Sequence, residues 1–172
     1  MPETDELYLG PTTPPLIVVL SGPSGVGKDA ILNRMIELGY PVTVPVTMTT
    51  RGPRPGEVDG VHHIFVTHEQ FQAHLAEGEL LEHAEVYGGN FYGVPRSSVR
   101  VAADSDKHII IRVDVQGAKS LRNTLPDAEF VFLIPSKREN LEAHLRSRGS
   151  EDEAAIQERL AAIEREYDEI EQ

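Results

Sequence analysis

Cysteine is absent from this chain of 172 residues, so neither a disulfide nor a thiolate metal site can form. No apolar run approaches the roughly 20 residues that a membrane-spanning helix needs. The first residues, MPETDELYLGPTTPP, lack the basic start and the apolar stretch of a secretion signal, and we expect residues 1–15 to be a flexible tail. These absences together predict a cytoplasmic protein that does not bind a membrane.

Positive charge is scarce in the chain. There are 16 lysine and arginine residues against 28 aspartate and glutamate residues, and the formal net charge is −12. General nucleic-acid binding depends on a basic surface against phosphates, so this balance argues against a DNA- or RNA-binding protein. Any recognition of phosphate has to come from a local cluster of cations. The length suits one compact domain with inserted lobes.

The stretch SGPSGVGKD, residues 21–29, follows the phosphate-loop pattern G-x-x-x-x-G-K-[ST] up to its last position, where Asp29 replaces the hydroxyl. The apolar run PLIVVLSG predicts a buried strand before the loop, and KDAILNRMIELGY predicts a helix after it. Glycines let backbone N–H groups point inward, the helix adds its positive end, and Lys28 adds a point charge. The stretch therefore predicts a nucleotide-phosphate site rather than a glycine-rich turn without a ligand.

Three further apolar runs predict the rest of a parallel sheet: VTVPVTMTT at 42–50, HIIIRVDVQGA at 108–118 and EFVFLIP at 129–135. The stretch GAKSLRNTL between the last two predicts a helix. Alternating strands and helices favour an α/β sandwich around a parallel sheet. We assign this core to residues 16–50 and 97–172.

Residues 51–96 differ in their sequence pattern from the segments assigned to the core. They contain many turns, short strands such as HHIFV, and one helix that begins with the capping box THEQ, formed by Thr67 and Gln70. We interpret this segment as a small mixed α/β lobe inserted between two core strands.

Polar side chains in three later stretches are candidates for chemistry. Arg51 and Arg54 lie three apart in TTRGPRPGEVDG, where prolines reduce the entropy lost in holding guanidinium groups against phosphate. Glu82 follows two leucines, and Tyr92 offers a hydroxyl group to a phosphate. Asp114 ends the strand IIIRVD, where a carboxylate can meet a metal–nucleotide complex. Taken singly, these residues also suit a solvated loop, an amphipathic edge and a turn.

In this order, the clusters resemble the guanylate kinase family. The resemblance implies a P-loop three-layer sandwich around a parallel sheet, an inserted GMP-binding lobe and a helical lid at roughly 136–159. It also implies ATP-dependent phosphorylation of GMP, or of dGMP, with Mg²⁺ accompanying ATP. The matching stretches run from about residue 16 to the end of the chain and are SGPSGVGK, TTRGPRPGE, LLEHAEV, NFYG, DVQGAK and RSRGSEDEAAIQERL.

The resemblance also implies a set of site residues. Those for ATP are Gly22, Pro23, Ser24, Gly25, Val26, Gly27, Lys28 and Asp29. Those for GMP are Thr47, Arg51, Arg54, His63, Glu82, Tyr92 and Asp114. The catalytic cations are Lys28, Arg51 and the lid residues Arg148 and Arg159, and the residues that would face the metal ion are Asp29 and Asp114.

The chemistry of guanine suits the role implied for Glu82. Guanine presents two adjacent donors, N1–H and the N2 amino group, and a carboxylate presents two acceptors side by side. Adenine has an acceptor at N1, which would face the carboxylate without a hydrogen. Sites that hydrogen-bond a substrate reject analogues that lack the match.

Four positions depart from the family pattern. Asp29 replaces the expected hydroxyl, although a carboxylate is also an oxygen ligand for Mg²⁺. His63 stands where the family has a phosphate-binding tyrosine, and Val94 where it has a serine or threonine that contacts guanine. Arg112 stands where the strand is often acidic.

Two other functions stay open at this point. A non-catalytic guanylate-kinase-like module would bind protein partners, but the retained glycine loop and Lys28 argue against it. A sugar-phosphate kinase such as ribose 1,5-bisphosphate phosphokinase would suit the GKD form of the loop, but the stretches TTRGPRPGE and DVQG argue against it. The sequence leaves the choice between monomer and homodimer undecided.

Overall fold

The computed structural model describes residues 14–135 and, beyond them, residues 141, 142, 146, 153, 156, 157, 160, 161 and 163. The strands in this part of the chain are β1 (Ile17–Ser21), β2 (Val42–Thr43), β3 (Thr47–Thr49), β4 (His63–Phe65), β5 (Leu80–Val86), β6 (Asn90–Pro95), β7 (His108–Arg112) and β8 (Glu129–Phe132). The helices are α1 (Lys28–Glu37), α2 (His68–Ala76), α3 (Arg96–Ala103) and α4 (Val115–Thr124), with one 3₁₀ turn at Tyr87–Gly89. No helix among the described residues is both long and apolar enough to cross a membrane.

The first sheet is parallel and has the strand order β2-β7-β1-β8. Its two central strands carry fully buried side chains such as Val19 and Ile111, as expected for apolar runs covered on both faces. In its register, Leu20 of β1 lies beside Arg112 of β7 and Val131 of β8. The predicted α/β class with a parallel sheet is confirmed, and the glycine loop leaves this sheet at the carboxyl end of β1.

The second sheet has the order β4-β3-β6-β5 and is mixed. Strands β3 and β4 are parallel, whereas β6 is antiparallel to both β3 and β5. Helix α2 covers one face through Phe71, which is fully buried against Met48 and Leu80. This sheet and α2 form the acceptor lobe, a name we use for residues 47–95.

The prediction of one strand over residues 42–50 is wrong. The segment splits into β2, which pairs with β7 in the first sheet, and β3, which pairs with β4 and β6 in the second. Pro45, which lies between them, has no N–H for a sheet ladder, and the chain changes sheets there. As a result β3 belongs to the acceptor lobe, although the predicted lobe begins only at residue 51.

Other predicted elements are confirmed with adjustments. The capping box of α2 is present, with the Thr67 hydroxyl accepting from the Gln70 amide and the Gln70 side chain accepting from the Thr67 amide. The predicted helix after the glycine loop is α1, in which Leu32 is buried and Ile31 is exposed. The stretches SKRE at 136–139 and SEDE at 150–153 also predict capping boxes, and apart from Glu153 they lie outside the described residues.

Candidate active site

A cleft of about 580 Å³ lies between the two sheets. The glycine loop lines one end of it, and side chains of the acceptor lobe line the other. Pro23, which belongs to the loop, does not line the cleft, because its side chain is fully buried. Arg148 and Arg159 lie outside the described residues. The predicted residues that the structure brings into this one cleft are Gly22, Ser24, Gly25, Val26, Gly27, Lys28, Asp29, Thr47, Arg51, Arg54, His63, Glu82, Tyr92 and Asp114.

Backbone geometry shapes the loop end of the cleft. Gly22 has a φ of 143°, and a Cβ on it would lie 2.4 Å from the carbonyl oxygen of Leu133, so only glycine fits there. Gly27 has a φ of 102° and stands directly before α1, which turns the helix N-terminus towards the cleft. The ammonium group of Lys28 donates to the carbonyl oxygens of Gly22 at 2.5 Å and Pro23 at 3.3 Å, and so lies over the loop.

Asp29 is paired with a residue that sequence reasoning did not place in the site. Its carboxylate accepts a hydrogen bond from the guanidinium group of Arg112. The same guanidinium donates to the hydroxyl of Thr47 at 3.3 Å. The sequence marks Arg112 only as a departure from a family pattern. Because Arg112 and Asp29 are 83 residues apart in sequence, no local pattern predicts that they pair.

Arg51 is held firmly at the lobe end of the cleft. Its two terminal nitrogens donate to the two carboxylate oxygens of Glu57, both at 2.9 Å, and its Nε donates to the Tyr92 hydroxyl at 2.9 Å. Glu57 also accepts from the Arg54 amide at 2.7 Å. Burial raises the pKa of Glu57, but the hydrogen bonds from Arg51 and Arg54 and the charge of Arg51 outweigh burial and lower that pKa to about 2. Sequence reasoning missed Glu57, although it belongs to the quoted stretch TTRGPRPGE.

His63 and Thr47 form the wall between the two ends. The Thr47 hydroxyl and the His63 Nδ1 are 2.8 Å apart, and the His63 ring meets the Tyr92 ring edge-on. Burial lowers the pKa of His63, and the charge of Arg51 lowers it further. The imidazole is therefore neutral at pH 7.

Glu82 is a buried acid that lacks a protein donor on one oxygen. Its side chain is 5% exposed, and within the described residues its Oε1 has no hydrogen-bond partner. Burial raises the pKa of Glu82 to about 8, and the charge of Asp114 adds to that rise. An unpaired buried acceptor is costly, so this carboxyl group suits a ligand that brings its own N–H donors.

The neighbours of Glu82 define its position. Val94 pairs with it across β5 and β6, is buried, and offers no hydrogen-bond donor. Gly117 lies on the other side, where an added Cβ would be 2.6 Å from Glu82 Oε1. Asp114 caps α4 by accepting from the Gly117 amide at 2.8 Å.

The cleft offers few protein ligands for a metal ion. Among the described residues no group of three or more histidine, aspartate or glutamate side chains could hold one. Mg²⁺ in nucleotide sites takes one or two carboxylates and fills its other positions with phosphate oxygens and water. The two carboxylates predicted to face the ion, Asp29 and Asp114, both line the cleft, and Asp29 is engaged by Arg112. So small a set suits an ion that arrives with a nucleotide and not a resident metal.

The chain is similar to proteins of one family. The guanylate kinase family model matches residues 15–172. The guanylate kinase of Synechococcus elongatus is 46% identical over 144 residues, which are 84% of this chain and 78% of that protein. The guanylate kinase of Clostridium perfringens is 41% identical over 151 residues, which are 88% of this chain and 69% of that protein. The crystal structure of guanylate kinase from Anaplasma phagocytophilum has 31% identity and a TM-score of 0.67 over 90% of this chain and 71% of that one.

Proposed function

The chain belongs to the guanylate kinase family, and we propose that the glycine loop holds ATP while the acceptor lobe holds GMP. It is a nucleoside monophosphate kinase, which transfers the γ-phosphoryl group of ATP to a phosphate oxygen of GMP. The bond between the γ-phosphorus and the β–γ bridging oxygen breaks as the new P–O bond forms, and the products are ADP and GDP. The same cleft would accept dGMP.

The observation that carries this assignment is the pairing of two phosphate-binding arrangements in one cleft with a buried acid beside them. Lys28 and the glycine loop suit the phosphates of ATP. Arg51, Arg54 and the Tyr92 hydroxyl suit the single phosphate of GMP. The cleft thus provides a place for a donor and for an acceptor.

Glu82 supplies the choice of base in this proposal. Its ionised carboxylate would accept from guanine N1–H and from the N2 amino group, which satisfies the oxygen that has no protein donor. Asp114 keeps a negative potential beside Glu82 and so favours donor groups on the ligand. Val94 offers no hydrogen bond to the guanine carbonyl, so selectivity depends chiefly on the carboxylate.

The residues perform the transfer by alignment and by stabilising charge, without a covalent intermediate. Arg51 is already fixed by Glu57 and Tyr92, so it loses little conformational freedom when it binds phosphate. Asp114 is the carboxylate that would face Mg²⁺ bound with ATP, and the ion would supply positive charge against the phosphates. Arg148 and Arg159 are proposed as lid cations.

We place the protein in the cytoplasm and propose that it binds neither nucleic acid nor membrane. The absence of cysteine agrees with a reducing compartment, and the net charge of −12 disfavours general contact with nucleic acid.

A coupled assay of ADP release with ATP, Mg²⁺ and a panel of acceptors tests the assignment. We expect turnover with GMP and dGMP. We expect kcat/KM to be at least about tenfold lower with AMP and UMP, because each would leave a buried hydrogen-bonding group of the site without its match. Ribose 1,5-bisphosphate belongs in the panel. A preference for it, or for AMP, would contradict the role of Glu82, and no turnover with any acceptor would contradict the kinase assignment.

A further inference from the structure

Arg112 occupies a position between the two ends of the cleft. It is the last residue of β7, which lies between β1 and β2 in the first sheet. The glycine loop follows β1, and the chain that follows β2 enters the acceptor lobe at β3. The carboxyl end of β7 therefore lies where a donor bound at the loop and an acceptor bound in the lobe would meet.

The contacts of Arg112 fix the direction of its guanidinium group. One terminal nitrogen donates to Asp29 on α1, and the other donates to Thr47 on β3. Thr47 is in turn held by His63. Because a guanidinium group is planar and has five N–H donors in a fixed arrangement, two contacts from opposite sides orient it and leave further donors for a ligand.

The charge balance of the pair favours an anionic ligand. The Arg112 side chain is 18% exposed, whereas the Asp29 side chain is 59% exposed, so water screens the carboxylate more than the guanidinium group. Thr47 is neutral, and the other charged residues that line the cleft are three cations, Lys28, Arg51 and Arg54, and two acids, Glu82 and Asp114. The buried cation is thus only partly compensated, and a phosphate group between donor and acceptor would complete the compensation.

We propose that Arg112 is a phosphate-binding residue for the transfer, and that Asp29 is its positioning residue rather than a ligand of the metal ion. The carboxylate that replaces the usual hydroxyl of the loop is then explained by its partner at the end of β7. This inference rests on the proposed function, since it needs two phosphate-bearing ligands in the cleft.

A double-mutant cycle tests the pair with Asp29→Asn, Arg112→Met and the double variant. Arg112→Met should lower kcat by about 10²-fold, as the loss of one oriented donor to a developing charge does, with a smaller change in KM. Asp29→Asn should lower kcat by about fivefold in the wild-type background and by less than about twofold beside Arg112→Met, because coupled residues are not additive. Arg112→Lys should keep nucleotide affinity but recover only part of kcat, since an ammonium group lacks the planar, fixed set of donors that can contact both partners and a ligand together.

Metal affinity is the second measurement, and it needs no turnover. Mn²⁺ binding to the ADP complex, followed by electron paramagnetic resonance, should change less than about threefold in Asp29→Asn, whereas loss of a metal-site group costs about 10–100-fold. Arg100→Met, on the exposed face of α3, is the matched control and should leave kcat unchanged. Thermal unfolding of each variant shows whether a loss of activity reflects a loss of fold.

Three results would overturn the proposal: a tenfold or greater loss of Mn²⁺ affinity in Asp29→Asn, additive effects on kcat, or an unchanged kcat in Arg112→Met. A wild-type protein that phosphorylates no nucleotide would overturn the proposed function instead. In that case the Mn²⁺ measurement still decides whether Asp29 holds the metal.

Discussion

In the proposed function, the two ends of the cleft bind phosphate in different ways. At the loop end, one continuous stretch does so with main-chain groups and a single lysine, and three of its glycines have positive φ angles. At the lobe end, Arg51 and Arg54 would do so from one turn, together with the Tyr92 hydroxyl of β6. The loop end depends on backbone shape, whereas the lobe end depends on side-chain identity.

This difference explains where substitutions are tolerated. A backbone arrangement survives a change of side chain that does not disturb its φ angles, so Asp29 fits a position where a hydroxyl is expected. In the lobe, side chains are held by particular partners, such as Glu57 for Arg51 and His63 for Thr47, while Glu82 Oε1 has none among the described residues. We expect single substitutions in the lobe to affect substrate choice, and substitutions at the loop end to affect turnover with every acceptor.

The largest effect should come from Lys28→Ala at the loop end. The ammonium group is the charged side chain that lies over the loop, and no main-chain group can replace its charge. We expect kcat to fall by about 10³-fold with GMP and dGMP alike, as for loss of a group that stabilises the transition state. Steady-state kinetics measure it, with Lys107→Ala on the exposed surface as the control. A decrease in kcat of less than tenfold would mean that the main-chain groups of the loop are enough for the transfer without Lys28.

The next effect should come from Gly117→Ala, which acts on the lobe end. The added methyl group would lie 2.6 Å from Glu82 Oε1 and 2.9 Å from the Val113 Cβ, so the carboxylate has to move. We expect kcat/KM for GMP to fall by about 30-fold while KM for ATP stays within twofold, because the loss is that of a buried charged hydrogen bond. Ser120→Ala in the same helix is the control. If the constants for GMP and ATP worsened equally, the substitution would act on more than the site that binds guanine.

A moderate effect should appear in the pH dependence of GMP binding. The pKa of Glu82 is about 8, and guanine donors need the ionised form. Between pH 7 and pH 8 the ionised fraction rises about fivefold, so the Kd of GMP should fall by about that factor, with proton release on binding. Calorimetry in buffers of different ionisation enthalpy measures both quantities. Glu82→Gln should abolish the dependence.

Unfolding experiments on the free protein provide an independent control of the same group. Its folded pKa lies above the unfolded value of 4.5, so the folded state keeps a proton that the unfolded state releases. The free energy of unfolding of the wild type, relative to Glu82→Gln, should therefore decrease as the pH rises from 4.5 to 8. A constant difference across this range would contradict a raised pKa.

The smallest effect should come from Thr67→Ala, which removes the cap of α2 far from any phosphate. The variant loses the hydrogen bond from the Gln70 amide, and we expect the protein to be about 1 kcal/mol less stable. The kcat of Thr67→Ala should stay within about twofold of the wild-type value. Denaturant unfolding measures the change, with Gln70→Ala as the partner variant, and a large loss of kcat would show that α2 positions the site.

The geometry of the loop end and the lining residues of the cleft were predictable from the sequence, but the pairs that their side chains form were not, for a physical reason. Strand, glycine loop and helix are contiguous, so one pattern contains both the geometry and its context. The pairs Arg112–Asp29 and Thr47–His63 join residues 83 and 16 positions apart, and only the fold brings them together. Helix α3 begins at Arg96 after Pro95 without a side-chain cap, and it was not predicted, because its burial against β6 and β7 is tertiary.

The contact between Gly22 and Leu133 has a mechanical consequence. The first glycine of the loop rests on the main chain that follows β8, with no room for a side chain between them. Pulling the loop outwards would open this contact, and shifting the end of β8 would press on the loop. A substitution in β8, which is an edge strand of the first sheet within the described part of the chain, would thus alter the binding of a nucleotide that β8 does not contact.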